Sequence, residues 1–320
     1  MTITNNLGLP LPLVRAVEND TYNNGGTWSA TTLLRPAQAI ALSRAHAAEI
    51  TEDAADRIWA LMGQIGHSII ERGASGLDDN WIAERRFYTD ALGERISGQA
   101  DIVDIENKTV FDYKFTSGWA VMDAQKGGKG DWQLQLSLLA MLAREGRYLI
   151  PALGLPDEWV EVRGYPTEIT HGKIVAVVRD WTESAAARNP DWPQQKVAVI
   201  DMQILPDAEV RLWAASRLEV IKRALAGEDV PCTDEERWLR PGKWAVYKGA
   251  NIKAAKLADS EDELSAWIFA NQAKVGAGYR IEERKGKFAR CESYCSAAPF
   301  CPQHLREQAA EAFAGISETA

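Results

Sequence analysis

The sequence predicts an α/β fold, in which helices pack against a central mixed sheet. Segment 98–116 is rich in apolar and β-branched residues and has turn-forming residues at 106–108, so it predicts a hairpin of two adjacent strands. The apolar run 173–181 predicts a further, buried strand. Apolar residues recur with helical spacing in three longer segments: 53–72, 132–144 and 207–226.

The N-terminal elements follow from local signals. Residues 1–27 are expected to be flexible, since they contain an Asn-Asn-Gly-Gly run. Ser29 is suited to cap a short helix, and 37–50 has the apolar spacing of another. Segment 84–88 predicts a strand that precedes the hairpin.

The predicted helix 53–72 contains Gly63 and Gly66, which lower helix stability and therefore indicate close packing against a neighbouring element. His67 and Glu71 are four residues apart and share one face of this helix.

The later elements alternate between loops and helices. Segment 117–130 is rich in Gly and Lys and is expected to be a loop, and 260–273 is expected to be a helix. The helix 207–226 is expected to bury one stripe, formed by Leu212, Ala215, Leu218 and Ile221.

The composition and charge of the chain argue against several classes of protein. The chain has 320 residues and a net charge of -9, so nonspecific binding of polyanions by its whole surface is not expected. The N-terminus lacks the basic and apolar regions of a signal peptide, and no apolar run is long enough to span a membrane. We therefore expect a cytoplasmic protein that does not enter a membrane.

The charge is uneven along the chain, which leaves room for a local DNA path. Cationic residues gather between 237 and 290, namely Arg240, Lys243, Lys248, Lys253, Lys256, Lys274, Arg280, Arg284, Lys285 and Lys287.

The predicted hairpin carries a candidate metal site. Asp112 and Lys114 are two residues apart on one strand, so they point to the same face, and Asp101 lies on the adjacent strand. Neighbouring carboxylates repel each other unless a cation lies between them, and oxygen ligands suit a hard ion such as Mg²⁺. Solvated surface charges are the alternative explanation.

These residues belong to a longer pattern. The segments GQIGH, GQAD, DYK and QLSLLA occur in the order of the motifs of the PD-(D/E)XK nuclease superfamily, and the chain resembles its RecB-like and phage-type branch from about Ser29 to His304. Two positions depart from the pattern: Ala100 replaces the usual Pro, and Leu139 the usual Tyr.

The resemblance implies a restriction-endonuclease-like core, with a mixed sheet flanked by helices, that binds Mg²⁺ or Mn²⁺. The implied ligands are His67, Asp101, Asp112 and the backbone carbonyl of Tyr113. The implied catalytic residues are Asp101, Asp112, Lys114, Gln135 and His67. Gln133 begins a second Gln-Leu pair and is the alternative to Gln135.

The resemblance further implies a metal-dependent DNA nuclease, as an exonuclease or end-processing enzyme in recombination or repair of phage or mobile-element DNA. DNA is the expected partner, with a recombinase or helicase as a possible protein partner. Two alternatives stay open: a nuclease-fold DNA-binding or assembly module without turnover, and a cluster-bearing redox or regulatory protein.

The chain has four cysteines, three of them spaced C-x3-C-x5-C: Cys232, Cys291, Cys295 and Cys301. In a reducing compartment such a set indicates a metal or cluster site rather than disulfides. It is similar to the four-iron, four-sulfur site of AddB and CRISPR-adaptation nucleases, although the lone cysteine precedes the nuclease motifs in those proteins. Structural zinc with four thiolates and unligated buried thiols are the alternatives.

The sequence therefore predicts three parts. A flexible N-terminus covers 1–27, a nuclease core with N-terminal helices covers 28–226, and a basic segment with the cysteine cluster, packed on the core, covers 227–320.

Overall fold

The computed structural model describes residues 1–19, 28–152, 155–164, 167–275 and 278–317. The chain divides into two compact units, the first formed by Met1–Arg35 and Ala47–Ala226, and the second by Pro36–His46 and Gly227–Ala320. The predicted core, 28–226, and the predicted C-terminal segment, 227–320, stay predictions as domains. The second unit includes Pro36–His46, a segment that lies inside the predicted core.

The described strands are β1 (Thr2–Thr4), β2 (Trp28–Ser29), β3 (Thr51–Asp53), β4 (Trp81–Thr89), β5 (Ile96–Asp104), β6 (Thr109–Thr116), β7 (Arg147–Ala152), β8 (Leu155–Arg163), β9 (His171–Val178), β10 (Val197–Met202), β11 (Leu239–Arg240), β12 (Lys243–Lys248), β13 (Lys256–Ala258), β14 (Tyr279–Arg284) and β15 (Lys287–Phe288).

The described α-helices are α1 (Leu11–Glu18), α2 (Ala30–Leu33), α3 (Ala37–Ala45), α4 (Ile58–Ala74), α5 (Gly118–Gln125), α6 (Gly130–Glu145), α7 (Glu183–Arg188), α8 (Asp207–Leu225), α9 (Glu261–Ala270), α10 (Gln272–Val275), α11 (Ala289–Ser293) and α12 (Pro302–Ser317). Short 3-10 helices cover Ala54–Arg57 and Ala298–Phe300.

The first unit is built on a mixed sheet that, within the described residues, has the strand order β10-β9-β6-β5-β4-β7-β8, with β2 paired to β5. Strand β5 runs antiparallel to both of its neighbours, β4 and β6, whereas β9 joins β6 in parallel. Helices flank this sheet, so the predicted α/β class with a central mixed sheet is confirmed.

The predicted β5–β6 hairpin forms at the expected place. Asp104 accepts hydrogen bonds from the backbone and side chain of Asn107, at 3.0 and 2.8 Å, and Lys108 adopts a left-handed conformation with φ 51°. The turn therefore fixes the register in which β6 returns alongside β5.

Helix α6 packs against the middle of the sheet, and nearly all of its residues from Leu136 to Ala143 are buried. A β-carbon on Gly98 of β5 would lie 2.5 Å from Leu139 of this helix. The missing side chain at Gly98 lets α6 approach the sheet closely, and this approach holds the start of α6 over β6.

Three regions differ from the sequence prediction. The N-terminus contains β1, which pairs in parallel with β3, and α1, while residues 20–27 of the predicted flexible segment lie outside the described residues. The predicted loop 117–130 contains α5, which begins because the Ser117 side chain accepts from Ala120 N–H.

The buried stripe of α8 is also different. Leu212 is 74% exposed, and the buried residues are Val210, Ala214, Leu218, Ile221 and Ala224. The helix is therefore rotated so that Val210 and Ala214 face the core in place of Leu212 and Ala215.

The second unit contains a small sheet of the order β13-β12-β14, covered by α9. Its core is formed by Val246, Ala258, Leu264, Ile268 and Val275. Strands β11 and β15 pair with each other at the base of this sheet, between Cys232 and Cys291 in the chain. None of the described helices has the length and apolar character needed to cross a membrane.

A candidate metal centre on strands β4, β5 and β6

Three carboxylates lie in a row across the centre of the sheet. Glu84 of β4 and Asp101 of β5 lie between two paired positions of these strands, Ala83–Ile102 and Arg85–Ala100. Asp112 of β6 comes directly after the last β5–β6 pair, Ile102–Phe111. Asp101 and Asp112 were predicted from their spacing to meet on one face; both are buried, and they are close enough for the charge of Asp112 to act on Asp101.

Helix α4 brings His67 to this row. A β-carbon on Gly66 would lie 2.0 Å from the ring of Phe115, so the glycine allows α4 to lie directly against β6. His67 Nδ1 is 3.4 Å from Asp101 Oδ1 and 3.5 Å from Glu84 Oε1. The ligand atoms of these three residues lie within 4.8 Å of one another, as around a single ion.

Glu84 was not predicted to take part in the site. Its backbone has φ 46° inside a strand, a conformation that non-glycine residues rarely adopt. Its Oε2 accepts from Gln99 at 2.5 Å, and Gln99 in turn accepts from the buried Arg86 at 2.8 Å. Its Oε1 is buried, and no hydrogen-bond partner for it is found in the described part of the chain.

Asp112, Lys114 and Gln135 form a closed triangle beside this group. Lys114 Nζ is 2.8 Å from Asp112 Oδ2 and donates to Gln135 Oε1 at 2.9 Å, while Gln135 Nε2 donates to Asp112 Oδ1 at 2.9 Å. Gln133 instead donates to the backbone of Gln203 at 3.0 Å. Of the two Gln-Leu pairs, the one that begins at Gln135 faces the site.

Tyr113 contacts the candidate site through its backbone. Its N–H donates to Asp101 Oδ2 at 2.6 Å. The N–H and C=O of one strand residue point towards the same neighbouring strand, so the carbonyl of Tyr113 also faces β5. The β5–β6 ladder ends one pair earlier, at Phe111.

Crowding of acidic groups changes their protonation. Burial, together with the negative charge of Asp112, raises the pKa of Asp101 from 3.8 to about 7. The contact with the Glu84 carboxylate, and then the charge of Asp101, raise the pKa of His67. Protons on these groups neutralise charge that a divalent cation would otherwise neutralise.

The four cysteines line one cavity in the second unit. They form no disulfide, and Gln303 holds Cys232 by donating to its carbonyl at 3.1 Å and accepting from its N–H at 2.9 Å. The buried Arg237 lines the same cavity and forms an ion pair with Glu307. Burial raises the pKa of Cys232 to about 12 and also raises that of Cys295.

The spacing of the thiols matters for the choice of metal. No three of the four sulfurs, all of which lie in the described part of the chain, are within 4.8 Å of one another. Four thiolates around zinc, at the usual Zn–S length, would have sulfurs about 3.8 Å apart.

Comparisons with known proteins do not identify a family. No protein-family model and no curated protein matches this chain. Among solved structures it is similar to one titled "Crystal structure of SSO0001", with a TM-score of 0.41 and 15% sequence identity over 72% of this chain and 93% of that chain. A likeness at this level supports no argument about activity.

Proposed function

We propose that this chain is a divalent-metal-dependent phosphodiester hydrolase of the PD-(D/E)XK type that acts on DNA. The observation that supports this proposal is the His67–Glu84–Asp101 group, together with the nearby Asp112–Lys114–Gln135 triangle, whose Asp112 charge acts on both Asp101 and His67. An acidic metal-binding group next to a lysine is what phosphodiester hydrolysis requires: charge neutralisation on one side and control of the attacking water on the other.

The residues fit a divalent cation. Glu84 Oε1 is buried without a hydrogen bond, and the nearby donors are carboxylates and one imidazole. Carboxylates suit Mg²⁺ and Mn²⁺, and an imidazole shifts the preference towards Mn²⁺. His67, Glu84 and Asp101 would hold the ion, with Asp112 and the carbonyl of Tyr113 as further ligands.

When bound, the ion supplies Lewis-acid polarisation of the phosphodiester and lowers the pKa of a water molecule. Lys114, held by Asp112 and Gln135, has an ammonium group aimed at the space beside the carboxylates. It orients the attacking water and stabilises the negative charge that develops on the phosphate oxygens. Gln135 helps to hold the Lys114 ammonium by accepting a hydrogen bond from it at 2.9 Å.

The test is cleavage of fluorescent DNA oligonucleotides with Mg²⁺ or Mn²⁺ and with EDTA, in the full chain and in Lys114→Ala. Cleavage should require the metal and should fall at least about 100-fold in the variant. Lys173→Ala is the matched control, because Lys173 lies in the same sheet and pairs with Asp201 at 2.7 Å.

Calorimetric titration with Mn²⁺ separates the alternatives. Metal binding without cleavage in the unmodified chain would favour a DNA-binding module without turnover. Equal cleavage by the unmodified chain and Lys114→Ala would refute the assignment of the site.

We also propose that the cysteines hold a four-iron, four-sulfur cluster with a structural role. The four thiols share one cavity, and their sulfurs are more widely spaced than zinc requires. A cluster binds its cysteines at four separate irons, so it suits more widely spaced sulfurs. Arg237, which pairs with Glu307, lines the same cavity as the thiols. Action on DNA ends, a recombinase or helicase partner and a cytoplasmic location remain predictions.

A further inference from the structure

Two tryptophans near the candidate metal centre are unusually exposed. Trp59 in the first turn of α4 is 60% exposed, and Trp119 in the first turn of α5 is 67% exposed. Tryptophan is among the more buried residue types, so two such side chains near one site call for a ligand that covers them.

Both tryptophans are tied to the end of β6. Arg179 N–H donates to Thr116 O at 2.9 Å, and the Arg179 guanidinium lies 4.4 Å from the ring centre of Trp59. The N–H of Gly118, directly before Trp119, donates to Asp180 at 2.7 Å. The two indoles therefore flank the point where β6 ends, two residues beyond Lys114.

The helix surface between Trp59 and His67 has a gap. The two residues are eight positions apart on α4, or about 12 Å along its axis. Gly63 lies between them, and a β-carbon there would meet no atom within 4 Å. A flexible chain could cross the helix at this point and reach His67 without meeting a side chain from Gly63.

The rings of Trp59 and Trp119 contact Arg179 and Trp192 respectively, and both indoles stay more than half exposed. Trp119 contacts Trp192 edge to face, with ring centres 5.8 Å apart. Arg179 is exposed and forms no ion pair with an acidic group in the part of the chain that the structure describes. An indole stacked with a free guanidinium offers a π surface and a positive charge together.

We propose that Trp59, Arg179 and Trp119 form a stacking platform for single-stranded nucleic acid, which guides an unpaired segment to the metal centre. Aromatic faces beside cations bind single strands, whose bases are free to stack, and not duplexes, whose bases are already stacked on each other. The inference rests on the proposed hydrolase and specifies its substrate as a single strand or a frayed end.

The experiment measures binding of a fluorescein-labelled oligothymidylate by anisotropy, in EDTA to prevent cleavage, with the full chain. Trp59→Ala and Trp119→Ala should each weaken binding about 5- to 150-fold, the range expected from losing one base stack. Trp59→Phe should restore most of the affinity. Arg179→Met should lower the slope of log K against log salt by about 0.7, one phosphate contact on a single strand.

Trp81→Ala is the matched control. Trp81 is 38% exposed and lies in the same sheet, but its register with Asp104 and Thr109 puts it about 23 Å along the strands from Thr116. The Trp81→Ala variant should bind the oligothymidylate as tightly as the unmodified chain does. A blunt duplex should bind more weakly than the single strand and should respond little to any tryptophan variant.

The outcomes separate this inference from the proposed hydrolase. Metal-dependent cleavage with unchanged single-strand binding in Trp59→Ala and Trp119→Ala would overturn the platform alone. Tryptophan-dependent binding without cleavage would support the platform and overturn the hydrolase. Met62 and Ile69 are also exposed on α4; if Trp59→Ala dissociated an oligomer and left binding unchanged, the surface would be a protein interface and the inference would be wrong.

Discussion

Glu84 has a strained backbone in the middle of a strand, and its side chain ends between His67 and Asp101. A left-handed conformation at a non-glycine residue costs about 1–3 kcal/mol and persists where the surroundings impose it. Here Gln99, itself held by Arg86, fixes one carboxylate oxygen and directs the other to the site. Such strain is typical of a residue whose position serves binding rather than stability.

Replacing Glu84 by Gln should weaken Mn²⁺ binding at least about 10-fold, because an anionic ligand becomes a neutral one of the same shape. Isothermal titration with Mn²⁺ measures the change. Glu106→Gln, an exposed change in the β5–β6 turn, should leave the affinity unaltered. Equal affinities in Glu84→Gln and the unmodified protein would remove Glu84 from the ligand set.

The protonation of Asp101 predicts how stability depends on pH. Its pKa in the folded protein is about 7, above the ordinary 3.8, so the folded state binds the proton more tightly than the unfolded state does. The free energy of unfolding of the metal-free protein should therefore fall as pH rises from about 4 to 7. The raised pKa of His67 acts in the same direction above pH 6.5.

Asp101→Asn should flatten this dependence, because the group no longer titrates. In EDTA at pH 8 the variant should be more stable than the unmodified protein by up to about 4 kcal/mol, and the two should converge near pH 4. Urea unfolding at pH 5 and pH 8 measures the difference. Parallel stability curves for the two proteins would show that Asp101 titrates normally.

At the scale of elements, the contact between α4 and β6 determines where His67 lies. Gly66 faces the ring of Phe115 with no room for a methyl group, whereas Gly63, one turn earlier, faces open space. Both glycines were predicted to mark close packing, and only Gly66 does so. The helix therefore offers a natural pair of equivalent changes with opposite expected effects.

Gly66→Ala should push α4 away from β6, lowering the free energy of unfolding by about 1–3 kcal/mol and weakening Mn²⁺ binding as His67 moves. Gly63→Ala should be neutral or stabilise by about 0.5–1 kcal/mol, because alanine favours the helix. Thermal unfolding and metal titration of both variants test this. A stable, metal-binding Gly66→Ala would contradict the close contact.

The sequence predicts elements whose signal is local and misses those that tertiary contacts decide. The β5–β6 hairpin follows from its turn residues, and α6 from its apolar spacing. Helix α5 was predicted as a loop from the Gly and Lys content of its segment; Ser117 caps it, but the packing of Gly118 under Trp192 is a tertiary contact that the sequence does not reveal. The stripe of α8 was misassigned because several faces of that helix are apolar enough to be buried.

The same limit applies to the site. Asp101, Asp112 and Lys114 could be identified because two adjacent strands carry them at short spacing. Glu84 lies 17 positions before Asp101, and only the register of β4 against β5 makes them neighbours. Strand 84–88 was predicted without a partner, so no pattern in the sequence distinguished Glu84 from an ordinary surface acid.

At the scale of the whole molecule, the thiols connect distant parts of the second unit. Cys232 and Cys291 are separated by the entire β12–β14 sheet in the chain, yet they line one cavity. Their grouping was predicted from the number and spacing of the cysteines, and the identity of the bound metal is still a prediction.

Protein purified without oxygen should contain about four iron and four sulfide per chain, with visible absorbance that dithionite bleaches. Cys232→Ser should lose the iron and destabilise the second unit, since ligation contributes folding energy. Asp112→Asn is the control and should keep its iron. One zinc per chain and no visible absorbance would replace the cluster by a structural zinc site.

The pairing of β11 with β15 has a consequence for the history of this chain. Leu239 lies opposite Phe288, so the polypeptide leaves for the β12–β14 sheet and comes back at nearly the same point. The β12–β14 lobe is thus inserted between two paired strands. A short hairpin turn in its place would change the entropy of loop closure little. Related chains could therefore gain, lose or exchange this lobe while keeping all four cysteines.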